Sequence, residues 1–197
     1  MDVFPTLVKE YDLREWIQRT RQVCVKNETT RWHNLHHKGV ASNVADNIFA
    51  HPLLREFTNQ VKKNVVDYCK TVGLKDPGFL QGWYNIHEEG GTTGVHRHVY
   101  SMVSGTYYPK YKSGKLYFVN PLQAHHMSFK FSNPDTKYSR YEQEIDIKEG
   151  YMYVFPSWLE HGTRATDHER IVMSFDASPH VPDFSGKFVP FTIEDHI

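Results

Sequence analysis

The hydrophobic pattern changes its period once along the chain. Between Pro52 and Gly73, the residues Leu54, Phe57, Val61, Val65, Tyr68 and Val72 recur at three- and four-residue steps. That spacing puts them on one stripe of an α-helix, with Pro52 suited to its first position and Gly73 to its end. Such a stripe covers one face of a sheet. From Phe79 onward the period falls to two and turn residues become frequent. Strands are expected at Phe79 to His87, His96 to Tyr108, Lys115 to Val119, Gln143 to Ile147, Tyr151 to Phe155 and Arg170 to Phe175. Turns are expected at Gly90-Gly91, Ser113-Gly114, Asn120-Pro121, Asn133-Pro134 and Glu149-Gly150. Short strands without interleaved helices predict an antiparallel sandwich or barrel. The chain therefore reads as one mainly β domain: helical support over about 1–78, a β core over about 79–178 and a C-terminal extension over 179–197.

Signals ahead of the long helix are weaker. Val3 to Lys9 reads as a short opening strand that Pro5 confines to an edge. Leu13, Trp16, Ile17 and Thr20 follow helical spacing behind Asp12, placed as an N-cap. Arg31 to Asn43 has no period, holds Trp32, His33, His36 and His37, and reads as a loop.

Charge changes this picture mainly by exclusion. The chain has 23 basic and 23 acidic side chains, so it carries no electrostatic footprint for nucleic acid or an anionic membrane. No apolar run approaches the roughly 18 residues of a membrane span, and the N-terminus lacks a signal pattern, so a cytoplasmic location is the default. Cys24 and Cys69 fall in helical segments far apart and read as reduced thiols. Thirteen histidines against two cysteines suit an imidazole-ligated metal better than a zinc–thiolate site.

The candidate chemistry starts at Gly90-Gly91-Thr92-Thr93-Gly94-Val95-His96-Arg97-His98. On a strand, residues two apart face the same side, so His96 and His98 can reach one ion. His161 is the leading third ligand. It follows Tyr151-Met152-Tyr153-Val154-Phe155-Pro156, and Arg170 comes nine residues later after a turn at Thr166 to Glu169. That reads as hairpin geometry, which brings Arg170 beside the metal. A guanidinium does not ligate a cation, but its planar fork clamps a carboxylate. Taken singly these signals are bland. A lone His-x-His is usually a surface or hydrogen-bonded pair, a lone arginine a surface ion, and Trp83 and Trp158 core or pocket wall. His33, His36, His37, His125 and His126 have no supporting partners.

Taken together, the motifs resemble the Fe(II)/2-oxoglutarate-dependent dioxygenases, most closely a 2OG-Fe(II) oxygenase branch of bacterial and phage type related to prolyl hydroxylases. The phrases that carry the resemblance are His96-Arg97-His98, Ser104-Gly105-Thr106-Tyr107-Tyr108, Phe155-Pro156-Ser157-Trp158-Leu159-Glu160-His161 and Arg170-Ile171-Val172-Met173-Ser174-Phe175. They span about Gln81 to Ser178. The resemblance implies a double-stranded β-helix (jelly-roll) with helices outside. It implies Fe(II) held by His96, His98 and His161, and 2-oxoglutarate held by Arg170 with a hydrogen bond from Tyr108. Oxidative decarboxylation of that cosubstrate by O2 would be coupled to C–H oxidation of a substrate, with hydroxylation as the expected outcome. Kinship with prolyl hydroxylases suggests a peptidyl or amino-acid substrate, and a phage-encoded member would act in the host cytoplasm. Arg31 to Asn43 and Leu122 to Tyr141 are the candidate walls of the substrate pocket. The sequence sets no oligomeric state, a homodimer included.

Two positions depart from that superfamily's pattern. His98 stands where a carboxylate is usual, leaving the site more positive and open to Zn(II), Ni(II) or Cu(II) in vitro. Glu88, Glu89, Glu160 and Asp176 are alternative anions without persuasive spacing. Val172 stands where a small hydroxyl residue often follows the arginine, which removes one hydrogen bond to the cosubstrate. The rival reading is a cupin-like isomerase or a non-enzymatic metal sensor, because cupins also use His-x-His and a later histidine. Cupins, however, place a glutamate ligand soon after the first pair, where Val99 to Ser104 has none. A degenerate β-helix serving as an interaction module is a third reading, and failure to bind metal would favour it.

Overall fold

The computed structural model describes residues 5–26, 30–34, 37–43, 47–122, 133, 135–179 and 189–190. In chain order these form β1 (Lys9–Asp12), α1 (Ile17–Lys26), β2 (Thr30–Asn34), β3 (His37–Asn43), α2 (Arg55–Val72), β4 (Phe79–His96) and β5 (Val103–Lys110). They continue with β6 (Leu116–Val119), β7 (Glu142–Ile145), β8 (Tyr151–Pro156), β9 (His161–Thr163), β10 (Arg170–Ser178) and β11 (Val189–Pro190). The strands join in one curled antiparallel sheet whose main path runs β1-β8-β5-β10-β4-β9-β6-β7. The architecture is mainly β with two α-helices outside, a jelly-roll core.

The long helix forms where the apolar stripe lies. Leu54, Phe57, Val61, Val65, Tyr68 and Cys69 are buried, each apolar side chain contributing on the order of 1.5–3 kcal/mol. Val72, the last member of the stripe, is partly exposed. Gly73 ends the helix at φ 76°, a left-handed conformation that costs glycine little. Its neighbour Leu74 donates its N–H back to the Cys69 carbonyl at 2.8 Å, closing the last turn.

The alternation on β10 sorts the interior into two layers. Ile171, Met173, Phe175 and Ala177 join the core shared with α2, Phe49, Tyr84 and Tyr107. On the opposite face, Val172 joins an inner core with Tyr108, Leu116, Phe118, Tyr153, Phe155 and Leu159. The same face carries Arg170, Ser174 and Asp176, so period-two chemistry places the polar residues inside the curl.

Five expectations are corrected at this level. The Gly90-Gly91 turn is not a strand break. β4 runs through it, and the extra residues lie between the pairs His87–Val40 and Thr92–Lys38, as a bulge. The described residues of 31–43 form paired strands rather than a loop. β2 pairs with β3 and β3 pairs with β4, so backbone pairing to a strand edge compensates for a missing apolar period. β9 and β10 form no hairpin with each other; both pair with β4, through Thr163–Thr93 and Arg170–His87. The opening strand begins at Lys9 rather than Val3, pairing Lys9 with Val154, and residues 1–4 lie outside the described residues. α1 starts at Ile17 behind a short 3-10 turn whose N-cap is Leu13 rather than Asp12, although the Asp12 side chain still accepts the Arg14 N–H from one position earlier. Cys24 and Cys69 are both free and buried, and burial pushes their thiols up, to about 12 and about 11.

Candidate metal centre and its cavity

His96 is the last residue of β4 and pairs directly with His161, the first residue of β9. β4 has one residue more than β9 between this pair and Thr93–Thr163, a bulge that resets the strand just before the histidine. His98 lies beyond the strand end. The alternation argument therefore does not explain its placement; its backbone N–H donates to the Ser157 carbonyl at 3.0 Å, which ties it to the corner after β8. Ring centroids are 4.4 Å apart for His96–His161, 5.1 Å for His96–His98 and 5.4 Å for His98–His161. One ring nitrogen from each lies within 4.8 Å of the others. Among the described residues this is the one group of three or more His, Cys, Asp or Glu side chains with that convergence, and it contains no carboxylate.

The hydrogen bonds fix which nitrogen carries the proton. Nδ1 of His96 meets the Gly94 carbonyl at 2.9 Å, and Nδ1 of His161 meets the Leu159 carbonyl at 2.9 Å. A carbonyl only accepts, so each Nδ1 carries the proton and each Nε2 keeps its lone pair. Nδ1 of His98 meets Oδ2 of Asp176 at 2.9 Å. Oδ1 of the same carboxylate accepts from Ser104 Oγ at 2.6 Å, and Ser104 also contacts Ser157 Oγ at 2.8 Å. Burial, then the neighbouring His96, lowers His161 from 6.5 to about 3. His161 is thus held neutral, the form in which an imidazole ligates a metal. Trp83 stacks on His98 at 5.7 Å and Phe155 meets His161 edge-on at 4.7 Å, so aromatic walls hold both rings.

Arg170 is fully buried and, among the described residues, meets no carboxylate. Nη2 donates to Thr163 Oγ1 at 3.0 Å, and Nη1 lies 3.2 and 3.3 Å from the carbonyls of Gly114 and Arg164. Nε has no partner. A buried cation with only neutral acceptors is costly, and desolvation lowers the Arg170 guanidinium from its ordinary value. Gly114 sits at φ 82°, and a Cβ there would overlap Nη1, so the tight turn is shaped around the guanidinium. Tyr108 is buried against Tyr111 and Tyr153, and its hydroxyl lies near that of Thr106 and near the Arg170 guanidinium. Burial raises the Tyr108 hydroxyl to about 12, against the pull of Thr106 and Arg170. Register between β5 and β10 shifts between Lys110–Ile171 and Tyr107–Met173, next to Tyr108, which turns inward.

Between these two ends lies a cavity of about 250 Å³. The three histidines line it, as do Trp83, Asn85, His87, Thr106, Thr163 and Val172. Arg170 and Tyr108 stand behind this lining, reached through Thr163 and Thr106. Ser42 of β3 also lines it and bonds to Asn85, which makes part of 31–43 a wall as expected. The Thr106 hydroxyl is buried on the cavity wall beside Tyr108, a polar group at a place where Val172 offers none. Sequence reasoning missed Thr106 and Thr163. The signal was present for Thr163, which lies two residues after His161 and so on the same strand face. Glu88 and Glu89 are exposed and outside the triad; Trp158 is 52% exposed and Trp83 is pocket wall. His36, His125 and His126 lie outside the described residues, as do the side chains of His33 and His37 and most of the Leu122 to Tyr141 segment up to 134.

The donor set fits a divalent cation: three imidazoles whose ring nitrogens converge within 4.8 Å on one cavity, behind whose lining Arg170 meets no carboxylate among the described residues. Comparison with known proteins agrees. Residues 81–176 match the family model described as "Putative 2OG-Fe(II) oxygenase". The fold is similar to a Pseudomonas putida prolyl-4-hydroxylase, with TM-score 0.65, 12% identity and coverage of 89% of this chain and 94% of that one. It is also similar to HygX from Streptomyces hygroscopicus with nickel and 2-oxoglutarate bound, at TM-score 0.61, 11% identity and coverage of 88% and 83%. A prolyl hydroxylase from Trichoplax adhaerens, in complex with a hypoxia inducible factor peptide fragment, gives TM-score 0.61 at 9% identity, covering 87% and 83%. No curated protein matches the chain in sequence. Among the described residues no helix is long and apolar enough to cross a membrane.

Proposed function

We propose, for a chain that belongs to the 2OG-Fe(II) oxygenase family through residues 81–176, that His96, His98 and His161 are its metal ligands and Arg170 its cosubstrate anchor. The chain is an Fe(II)- and 2-oxoglutarate-dependent oxygenase. The observation that carries the residue assignment is the pairing of opposite preparations across one cavity: three imidazoles with their Nδ1 atoms tied back, and a buried guanidinium that meets no carboxylate among the described residues. When bound, iron with O2 and 2-oxoglutarate supplies the oxidising power, converting substrate C–H to C–OH with succinate and CO2 as co-products. The protein's own residues bind, orient and exclude water. The Gly94 and Leu159 carbonyls and the Asp176 carboxylate aim the three Nε2 atoms inward. Thr163, Gly114 and Arg164 hold the guanidinium so that it can meet the far carboxylate of the cosubstrate, and Tyr108 adds its hydroxyl to that carboxylate. Phe155, Phe118 and Leu116 keep this end of the cavity dry, which strengthens each charge-assisted contact.

Hydroxylation of a peptidyl or free amino-acid substrate is the finer reading. What supports it is the likeness of the fold to two prolyl hydroxylases, one of them in complex with a peptide fragment. The test is succinate formation. The protein incubated with Fe(II), O2 and 2-oxoglutarate should yield succinate, and chelation of the metal should stop it. A cupin-like isomerase or metal sensor yields none, and that result would return the rival reading.

A further inference from the structure

The second ligand position of this site carries an imidazole, yet a carboxylate stands directly behind it. Asp176 Oδ2 lies 2.9 Å from Nδ1 of His98, while Nδ1 of each of the other two histidines meets a backbone carbonyl. Both side chains are largely buried, at 14% and 16% exposure. The second carboxylate oxygen is also engaged, accepting from Ser104 Oγ. Both oxygens accept and neither donates, which is the pattern of an ionised carboxylate. Strand pairing makes the arrangement rigid, since Asp176 sits opposite Ser104 across β10 and β5 and the Ser104–Ser157 contact joins the corner that holds the His98 backbone.

We propose that Asp176 is a positioning residue that supplies, one imidazole removed, the negative charge that the ligand set itself lacks. This rests on the assignment of His98 as a metal ligand. A carboxylate accepting from Nδ1 makes the ring a stronger donor through Nε2 and fixes its tautomer and plane. His98 with Asp176 thus acts as an anionic unit, and the cation faces a site less positive than three free imidazoles would make it. A purely structural role for the pair would orient the ring without changing its donor strength.

Asp176→Asn separates the two roles. An asparagine oxygen can still accept from His98, and its amide can donate to Ser104, so geometry is kept while the charge is removed. The experiment is an anaerobic titration of the full chain with Fe(II), then 2-oxoglutarate, recording metal affinity and the visible charge-transfer band of the chelate. Relative to wild type, Asp176→Asn should bind Fe(II) about 10- to 100-fold more weakly, the usual effect of losing such an outer partner. Its band should move to shorter wavelength, because a less electron-rich iron gives up charge less readily. Equal affinity, or an unmoved band, in a folded Asp176→Asn protein overturns the proposal. If that variant does not fold, Ser104→Ala decides. Removing the hydroxyl leaves the carboxylate a stronger acceptor toward His98, and the band should move to longer wavelength; an unmoved band again overturns the proposal. A wild-type protein with no iron binding and no band would instead sink the ligand assignment itself, and this inference with it.

Discussion

The two ends of the central cavity are built on opposite electrostatic terms. At the histidine end the protein removes positive charge: burial keeps His161 neutral, and each Nδ1 proton is given to an acceptor. At the arginine end it retains a positive charge and, among the described residues, withholds the counterion, leaving Arg170 among a threonine hydroxyl and two carbonyls. Neither end is a low-energy arrangement by itself. The difference is what the proposed assignment requires, a cation at the histidines and an organic anion reaching toward Arg170.

Substitutions at each end should separate these demands. His161→Ala should abolish stoichiometric iron binding and succinate formation, measured by anaerobic titration and product assay; wild-type turnover would remove the histidine end from the account. Arg170→Ala should leave metal affinity intact and raise the KM for 2-oxoglutarate, since a buried charge-assisted pair is worth on the order of 2–5 kcal/mol. An unchanged KM would remove the arginine end. Gly114→Val should act in the same direction by pushing Nη1 aside, with an increase on the order of tenfold, or about 1.4 kcal/mol. Iron affinity should again be unaffected. Tyr108→Phe should raise the same KM by less, about 1 kcal/mol for one neutral hydrogen bond.

The histidine end also makes a prediction about acid. The folded value of His161, about 3, lies below its ordinary 6.5, so the unfolded chain binds the proton more readily. This contribution to metal-free stability is present above about 6.5 and is lost as pH falls toward 3, at up to about 1.4 kcal/mol per pH unit. Denaturant unfolding of the metal-free protein should therefore show a smaller loss of stability across this range in His161→Gln than in wild type. Equal slopes would contradict the burial argument.

Most of the β core was legible because its strands alternate cleanly, and β10 is the clearest case. Its even residues Arg170, Val172, Ser174 and Asp176 face the curl while its odd residues Ile171, Met173 and Phe175 face the helices. The long helix was legible for the same reason at the other period. The strand pair at 31–43 was not, since it is held by backbone pairing to β4, which side-chain pattern does not encode. Nor was the route by which the ligands converge. His98 is brought to His96 by a corner contact to Ser157 rather than by strand alternation, and Arg170 reaches the site along β4 rather than through a hairpin with β9. The spacing named the right neighbours and gave the wrong reason for two of them. Asp176 shows the remaining gap: from the sequence it was one of four unplaced anions, and the cross-strand register put it behind His98.

The central claim is most directly tested by a crystal grown anaerobically with Fe(II) and 2-oxoglutarate, with anomalous scattering recorded at the iron edge. The account predicts one iron peak about 2 Å from Nε2 of His96, His98 and His161, as for other imidazole-bound metals, with the far carboxylate of the cosubstrate against Arg170. An iron peak that leaves out His161, or a cosubstrate carboxylate held away from Arg170, would contradict it.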